Sequence, residues 1–281
     1  MTPRNAGVSR QRRRLRPISV ERLEERLCLA SSAGLLADGT LVIMGDNRAD
    51  SVEIYDDGLG LVGLIGQFDN LGAGAEPDPD ETFDVMFDNV TKIVLDTKAG
   101  DDDVYYVLTD SLEIPRDVSF TLGSGNDSLS MDFGAILSTQ FHVKVDLGRG
   151  NDTFDAGFYD EISASQIQVD IDGGLGNDDL SLYADSAIVD GGSSLVVAVS
   201  GGAGNDAIDA ELDFDPESTG LVNIAAWGGK GNDDIEMNVT GADNLNSRRS
   251  FVLDGGAGRD NFIASPEILT SNVEPLKAKR K

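Results

Sequence analysis

Cysteine and histidine are almost absent from this sequence, which contains only Cys28 and His142 among its 281 residues. A single cysteine cannot form an intramolecular disulfide or supply a cysteine-based zinc cluster. A single histidine without a serine or cysteine motif around it argues against a nucleophilic catalytic triad. The stability of the fold therefore has to come from a source other than disulfides or such a cluster.

Basic residues are scarce except at the two ends of the chain. The whole sequence has 22 Lys+Arg and 50 Asp+Glu, a formal net charge of −28. Residues 1–30 carry 8 Arg and 3 Glu, a balance of +5, whereas residues 31–276 carry 47 acidic and 10 basic residues, a balance of −37. Nucleic acids and anionic membrane surfaces are bound through clustered Lys and Arg, so the acidic body argues against both partners. Cations are the partners that this charge favours.

Long apolar runs are absent as well. The longest fall well short of the roughly 20 residues that a membrane-spanning helix needs, so the sequence predicts no transmembrane segment. The hydrophobic content of 40% is nevertheless too high for a disordered acidic tail. A chain of this length can form one or two compact domains or one long repeat array.

A repeat occupies most of the chain. Seven segments carry Gly-x-Asp followed two residues later by an apolar residue, and the clearest of them read GGLGND and GGAGND. The aspartates of these segments are Asp102, Asp127, Asp152, Asp178, Asp206, Asp233 and Asp260. They follow one another at intervals of 25, 25, 26, 28, 27 and 27 residues. Such a regular period is typical of stacked repeat proteins.

The residues around each aspartate repeat in register with it. Positions nine and seven before the aspartate, and two and four after it, are apolar in all seven units. Alternation with a period of two on both sides of a Gly-rich turn predicts strand, turn and strand in every unit. One unit cannot bury its apolar face alone, so the sequence predicts an all-β, right-handed parallel β-solenoid with coils of about 26 residues. The alternative, an antiparallel sandwich of hairpins, does not explain the near-constant period.

An incomplete eighth unit precedes these seven. The segment around Asp50 fits the same columns, but Arg48 stands where the other units have glycine, so we expect its turn to lack the function of the motif. The distance from Asp50 to Asp102 is 52 residues, or two periods. Within it, the pattern predicts a strand at 61–65 and an exposed polar loop at 72–84.

The composition of the turns indicates a binding site for a hard cation. Glycine stands two residues before each of the seven aspartates, and four residues before six of them. Glycine accepts positive φ and lets main-chain carbonyls converge, and the asparagine that follows it in five units also tolerates left-handed backbone. Carbonyl oxygens beside a carboxylate are ligands for calcium. Turn formation alone would explain any single unit, but it does not explain seven units in register.

Stacking of the turns would place cations between neighbouring aspartates. If the turns lie about 4.8 Å apart, a cation with oxygen ligands at about 2.4 Å fits between them, and that distance is typical of calcium. Two carboxylates about 5 Å apart repel by roughly 3 kcal/mol at an effective dielectric constant of about 20. We therefore expect the stack to be loose without metal and ordered with it. Candidate supplementary ligands, six residues before four of the aspartates, are Asp96, Asp146, Asp172 and Asp254.

The turns resemble the hemolysin-type calcium-binding repeat of RTX proteins, whose pattern is G-G-x-G-x-D-x-φ-x with φ apolar. The resemblance spans roughly residues 39–264. It implies a parallel β-roll in which Ca²⁺ is bound by the aspartate and by main-chain carbonyls of adjacent turns. Carried over by position, the metal ligands are the seven aspartates, with Gly174, Gly176, Gly202, Gly204, Gly229, Gly231, Gly256 and Gly258 among the carbonyl contributors.

The sequence also departs from the RTX pattern. RTX repeats run nine residues, with a turn at both edges of each coil, whereas one motif recurs per coil here. We therefore expect metal along one edge only. Lys98 replaces a motif glycine in the first complete turn, and Arg259 stands beside Asp260 in the last.

The two ends differ from the repeat. We predict a basic, targeting-like segment at 1–38, a repeat solenoid at 39–268 and a basic tail at 269–281. The segment LEERLCLA resembles the LEPR-XLL motif of exported bacterial proteins, with Glu25 in place of the proline, and this resemblance implies export. A standard signal peptide is not predicted, because VERLEERL is charged where an apolar region should follow.

These observations predict a non-catalytic calcium-binding protein, secreted or at the cell surface, that acts as a structural or adhesive module. Surface polysaccharides or other surface proteins are its expected partners. The alternative is a carbohydrate-active enzyme, a polysaccharide lyase or hydrolase on a β-helix. Against it, the prominent acids all belong to the repeat. His142 is expected to face solvent, as is Trp227, which is either a platform for stacking sugars or an aromatic packed on a neighbouring loop.

Overall fold

The computed structural model describes residues 32–68, 82–241, 249–265 and 269–271. These residues form strands and turns without a helix, so none of them belongs to a helix that is long and apolar enough to cross a membrane. The strands are β1 (Ser32–Leu35), β2 (Thr40–Met44), β3 (Asp50–Asp56), β4 (Val62–Phe68), β5 (Thr82–Phe87), β6 (Lys92–Asp96), β7 (Asp103–Leu108), β8 (Arg116–Thr121), β9 (Ser128–Phe133), β10 (Ile136–Leu137), β11 (Gln140–Asp146), β12 (Thr153–Phe158), β13 (Glu161–Ser163), β14 (Gln166–Asp172), β15 (Asp179–Val189), β16 (Ser194–Ala203), β17 (Ala207–Phe214), β18 (Leu221–Lys230), β19 (Asp234–Thr240), β20 (Ser250–Ala257), β21 (Asn261–Ala264) and β22 (Leu269–Ser271).

Two long sheets are built from these strands. The first runs β1-β2-β6-β8-β11-β14-β16-β18-β20-β22, and the second runs β21-β19-β17-β15-β12-β9-β7-β3-β4-β5, with β10 and β13 attached beside β15. Each unit contributes one strand to the first sheet and one to the second, and its Gly-x-Asp turn joins these two strands. Pairing between successive units is parallel in both sheets, as between β14 and β16 or between β15 and β17. The predicted parallel β-solenoid is therefore confirmed.

The core consists of the apolar columns that the sequence repeats. Ile93, Val118, Val143 and Val169 lie above one another and are at most 2% exposed. Each buried Val, Leu or Phe side chain contributes about 1.5 to 3 kcal/mol. The first coils add an aromatic cluster whose neighbouring ring centroids are 4.9 to 6.2 Å apart, and the rings of Phe133 and Phe158 are the pair at 4.9 Å.

The sheets extend past both ends of the range expected for the solenoid, 39–268. At the N-terminal end, β1 pairs antiparallel with β2. At the other end, β22 pairs in parallel with β20. Most of the basic N-terminal segment, residues 1–31, and the tail at 272–281 lie outside the described residues.

The stretch between the first two units is an antiparallel arm and not a further coil. β3 pairs directly with β7, so Asp50 and Asp102 lie in adjacent coils although they are 52 residues apart. The predicted strand at 61–65 corresponds to β4, which forms an antiparallel extension of the second sheet with β5. The prediction of a loop at 72–84 is wrong at its end, where Thr82 begins β5, and residues 69–81 lie outside the described residues.

A buried ion pair interrupts the apolar core near its N-terminal end. Arg116 is the register partner of the buried Phe141 and points inward, where its Nε donates to Asp56 Oδ2 at 2.7 Å and its second guanidinium nitrogen donates to Asp56 Oδ1 at 2.9 Å. Both side chains are 0% exposed. The hydroxyl of Tyr106 donates to the same carboxylate, and the guanidinium also donates to the Val90 carbonyl. The two charges are thus paired and hydrogen-bonded, which is the condition for burying them.

Candidate metal centre

The seven motif aspartates, together with Asp50, form one buried file along the turn edge of the solenoid. All eight are 1 to 3% exposed. In each coil, Oδ1 accepts a hydrogen bond of 2.7 to 3.0 Å from the backbone N–H of the aspartate one coil earlier. The acceptors are Asp102, Asp127, Asp152, Asp178, Asp206, Asp233 and Asp260. The predicted alignment of these residues in one file is therefore present in the structure.

The second carboxylate oxygen distinguishes the seven motif aspartates from Asp50. In all seven, Oδ2 is buried and has no hydrogen-bond partner. In Asp50, Oδ2 accepts the backbone N–H of Asp46 at 3.1 Å. A buried charged acceptor without a partner is strongly unfavourable unless a proton or a cation neutralises it.

Main-chain carbonyl oxygens lie near the orphaned oxygens of two of these aspartates, Asp178 and Asp206. A methyl carbon placed on Gly201 would lie 2.6 Å from Asp206 Oδ2 and 2.8 Å from the carbonyl oxygen of Gly228 in the next coil. At Gly173 the corresponding distances are 2.8 Å to Asp178 Oδ2 and 2.7 Å to the Gly201 carbonyl oxygen. At each of these two glycines, a carboxylate oxygen and a carbonyl oxygen thus lie within 2.8 Å of one point, and calcium takes ligands of both types.

These glycines, five residues before the aspartate, were not among the predicted contributors. Gly228 and Gly255 occupy the same position, and a side chain on either would come within 2.4 Å of the orphaned oxygen of its own aspartate. The last four units have two consecutive glycines, and this pair was the sequence signal that could have identified these positions. The first of the two glycines makes room for the carboxylate.

The predicted carbonyl contributors form two further files beside the aspartates. Gly174 and the other glycines four before the aspartate follow one another from coil to coil, but the Gly174 carbonyl already accepts the backbone N–H of Ala203 at 2.9 Å. Among the glycines two before the aspartate, the carbonyl oxygen of each lies against the equivalent glycine of the next turn, as far as the pair Gly231 and Gly258. A side chain on Gly204 would meet the Gly176 carbonyl oxygen at 1.3 Å and Asp206 Oδ1 at 3.1 Å. The remaining members, Gly202, Gly229, Gly231, Gly256 and Gly258, take equivalent places.

The asparagines that precede the aspartates form a second ladder, and the reason predicted for them is wrong. They are not among the described residues with positive φ. Instead, the Oδ1 atom of each accepts the backbone N–H of the equivalent residue one coil later, at 2.8 to 3.1 Å. The residues of this ladder are Asn126, Asn151, Asn177, Asn205 and Asn232. Asparagine therefore joins neighbouring turns and does not serve a left-handed backbone here.

Burial changes the acidity of the file. Desolvation, with smaller contributions from the charges of Asp102 and Asp152, raises the pKa of Asp127 to about 7, although the hydrogen bond from the Asp102 backbone N–H lowers it. Desolvation likewise raises the pKa of Asp152 and of Asp206 to about 6. The metal-free file thus disfavours its own full ionisation at neutral pH.

The candidate supplementary ligands do not join the file. Asp96, Asp146, Asp172 and Asp254 lie in one row on the outward face of the first sheet, with Trp227 in the same row. Asp146 and Asp172 are exposed, whereas the file is buried. One of them acts on the file through its charge: desolvation raises the pKa of Asp178, and the charge of Asp172 adds to that rise.

Carboxylates alone do not make a metal site here. Among the residues that the structure describes, no group of three or more His, Cys, Asp or Glu side chains could hold a metal ion. A cation in the file would therefore depend on main-chain carbonyls for most of its ligands.

The two residues weighed for other roles face solvent as predicted. The His142 side chain is 51% exposed, and its Nδ1 lies 3.0 Å from Asp117 Oδ1. Trp227 is 39% exposed.

Comparison of the chain with protein-family models, with curated proteins and with solved structures found no match.

Proposed function

We propose that this protein is a non-catalytic, calcium-binding β-solenoid that is exported and acts as a structural or adhesive module at the cell surface. The observation that carries the proposal is the buried file of seven aspartates whose Oδ2 atoms have no partner. The aspartates would hold the ions through these oxygens, together with carbonyls of the adjacent turns. A bound cation would neutralise the carboxylates that burial otherwise destabilises.

The resemblance of the turns to RTX repeats and of LEERLCLA to the LEPR-XLL motif supports the same proposal. Extracellular modules bind calcium with dissociation constants of about 0.1 to 1 mM. At these affinities the solenoid would stay pliable in the cytosol and would become ordered at external calcium levels, because ligand binding stabilises only the folded state.

Calcium titration of metal-stripped protein tests this proposal. We expect circular dichroism and thermal denaturation to show added β-structure and a higher Tm at millimolar Ca²⁺, with reversal by EGTA. Asp152→Asn keeps an oxygen for the backbone hydrogen bond but removes the charge, so it should lower the number of bound ions and the calcium-dependent rise in Tm. Asp110→Asn, an exposed change of the same charge outside the file and outside the row of candidate supplementary ligands, is the matched control. A spectrum and Tm unchanged by calcium and by chelation would refute the proposal.

A carbohydrate-active enzyme is the second candidate, since an open groove on the second sheet combines tyrosines with carboxylates. Release of new reducing ends from neutral or acidic polysaccharides would support this candidate. If no new reducing ends form at saturating calcium, the enzyme candidate is excluded for the substrates tested.

A further inference from the structure

An open groove of about 590 Å³ lies on the outward face of the second sheet, where β12, β15, β17 and β19 run side by side. Its lining includes Tyr159, Tyr183, Asp185, Glu211 and Asp213. None of these residues belongs to the buried aspartate file at the turn edge. What binds in the groove is therefore a separate question from calcium binding.

Two tyrosines give the groove an aromatic floor. Tyr159, 46% exposed, folds back over Gly157, and a methyl carbon on this glycine would come within 2.2 Å of the tyrosine ring. Gly157 belongs to an outward-facing row, so its missing side chain lets the ring lie across the sheet. In the same row, Tyr183 is the register partner of Gly157 one coil later. The two rings thus stand on neighbouring rungs.

A β-bulge brings a carboxylate to the same place. The register of β15 against β17 shifts between Ala184 and Ala187, and Ser186 within this step has a φ of 54°. The extra residue of a bulge redirects neighbouring side chains. Asp185, inside the bulge, lines the groove together with Glu211 and Asp213.

The chemistry of the lining restricts the ligand. Carboxylates only accept hydrogen bonds, and the described residues that line the groove include no Lys or Arg. The hydroxyl of Thr240, also in the lining, already donates to Asp213 Oδ1. An anionic ligand would be repelled, whereas one rich in donors would be held. The exposed Tyr159 and the partly exposed Tyr183 add an apolar surface suited to the C–H face of a sugar ring.

We propose that this groove binds a saccharide without negative charge, with its rings on Tyr159 and Tyr183 and its hydroxyl or ammonium donors on Asp185, Glu211 and Asp213. The volume falls within the roughly 300 to 1,000 Å³ that ligand sites occupy. Neutral and amino sugars share the required chemistry.

Calorimetric titration of the full chain at saturating calcium tests the proposal. The probes are a neutral β-linked hexose oligomer, an amino-sugar oligomer and an oligogalacturonate. We expect the neutral or the amino-sugar oligomer to bind and the oligogalacturonate not to bind. Tyr183→Ala and Tyr159→Ala should each weaken binding about tenfold, and Asp213→Asn should weaken it as well. Tyr55→Ala removes an aromatic side chain on the outward face of β3 that does not line the groove, and it should leave affinity unchanged.

Three results would overturn the inference: no binding of either non-anionic oligomer at millimolar concentration, oligogalacturonate binding as tight as theirs, or wild-type affinity in both tyrosine variants and in Asp213→Asn. Circular dichroism of every variant checks that its fold is intact. Asp213→Asn provides a test that leaves both tyrosines unchanged. Retained calcium binding with no saccharide binding would overturn this inference alone.

Discussion

At the scale of single residues, the identity of a turn residue is explained by the coil next to it. The aspartate, the asparagine before it and the glycines two and four before it each make their decisive contact with a residue 25 to 28 positions away. The two ladders run in opposite directions, because Asp Oδ1 accepts from the preceding coil and Asn Oδ1 from the following one. Together they bind each turn to both neighbours.

Removal of one asparagine amide should weaken this link. In Asn177→Ala, the backbone N–H of Asn205 loses its acceptor, which lies at 2.8 Å. We expect a loss of about 1 kcal/mol in the free energy of unfolding, since that is the usual contribution of one hydrogen bond. Urea denaturation at saturating calcium measures it, with the exposed Thr153→Ala as control. Equal stability of the two variants would contradict a structural role for the asparagine ladder.

The Arg116–Asp56 pair gives a second prediction at this scale. Arg116→Met would leave the fully buried Asp56 carboxylate without its main partner and should cost about 3 to 5 kcal/mol. The double variant Arg116→Phe with Asp56→Leu places in each column a residue type that neighbouring coils already have, and should recover most of the loss. The measurement is the free energy of unfolding of Arg116→Met and of the double variant, each compared with that of the unmodified protein. A double variant no more stable than Arg116→Met would show that the site cannot accept an apolar core.

At the scale of the repeat unit, the first turn differs from the seven that follow. Its Asp50 takes part in the ladder, but Oδ2 is already satisfied by the Asp46 backbone. Lys98, which replaces a motif glycine in the next unit, reaches back so that its ammonium donates to the Gly45 carbonyl at 2.6 Å. The aromatic cluster and the buried ion pair also lie in the early coils. The N-terminal coils thus have sources of stability that need no metal.

Unequal opening of the coils follows from this difference. In repeat proteins each unit is stabilised mainly by its neighbours, so local stability varies along the array. In metal-stripped protein, we expect hydrogen exchange to be slower in β2, β3, β6 and β7 than in β16 to β19. Millimolar calcium should reduce the difference by protecting the later strands. Hydrogen–deuterium exchange with peptide-level mass spectrometry measures this pattern, and uniform protection without metal would contradict it.

At the scale of the whole molecule, the net charge of −28 and the buried file act in the same direction. Both make the metal-free fold less stable as more carboxylates ionise. The pKa values of Asp127, Asp152 and Asp206 in the folded state lie above the ordinary 3.8 because of burial. The folded state therefore binds more protons than the unfolded chain over the range between these values.

Stability of the metal-stripped protein should accordingly rise as the pH falls from about 7 toward about 4, and the ionisation penalty should be fully present above about pH 7. The Tm at pH 5.5 should exceed the Tm at pH 8. Asp190 has the opposite effect, because hydrogen bonds from Ser163 and Ser193 lower its pKa to about 2, but its contribution is lost only below about pH 4. Scanning calorimetry measures the Tm at both pH values. Saturating calcium should raise the Tm at pH 8 and so remove the difference. A metal-free Tm that falls between pH 8 and pH 5.5 would contradict the buried, unneutralised file.

The sequence by itself determined the parallel solenoid and the single file of aspartates. Both follow from the period of 25 to 28 residues, because columns that repeat at that spacing can bury their apolar faces only by stacking. Only the tertiary structure decided what depends on contacts distant in sequence. The antiparallel arm between β3 and β7 depends on strand pairing that the local pattern leaves open. The burial of Arg116 depends on Asp56, 60 residues earlier, and the role of each asparagine depends on a backbone N–H in the next coil.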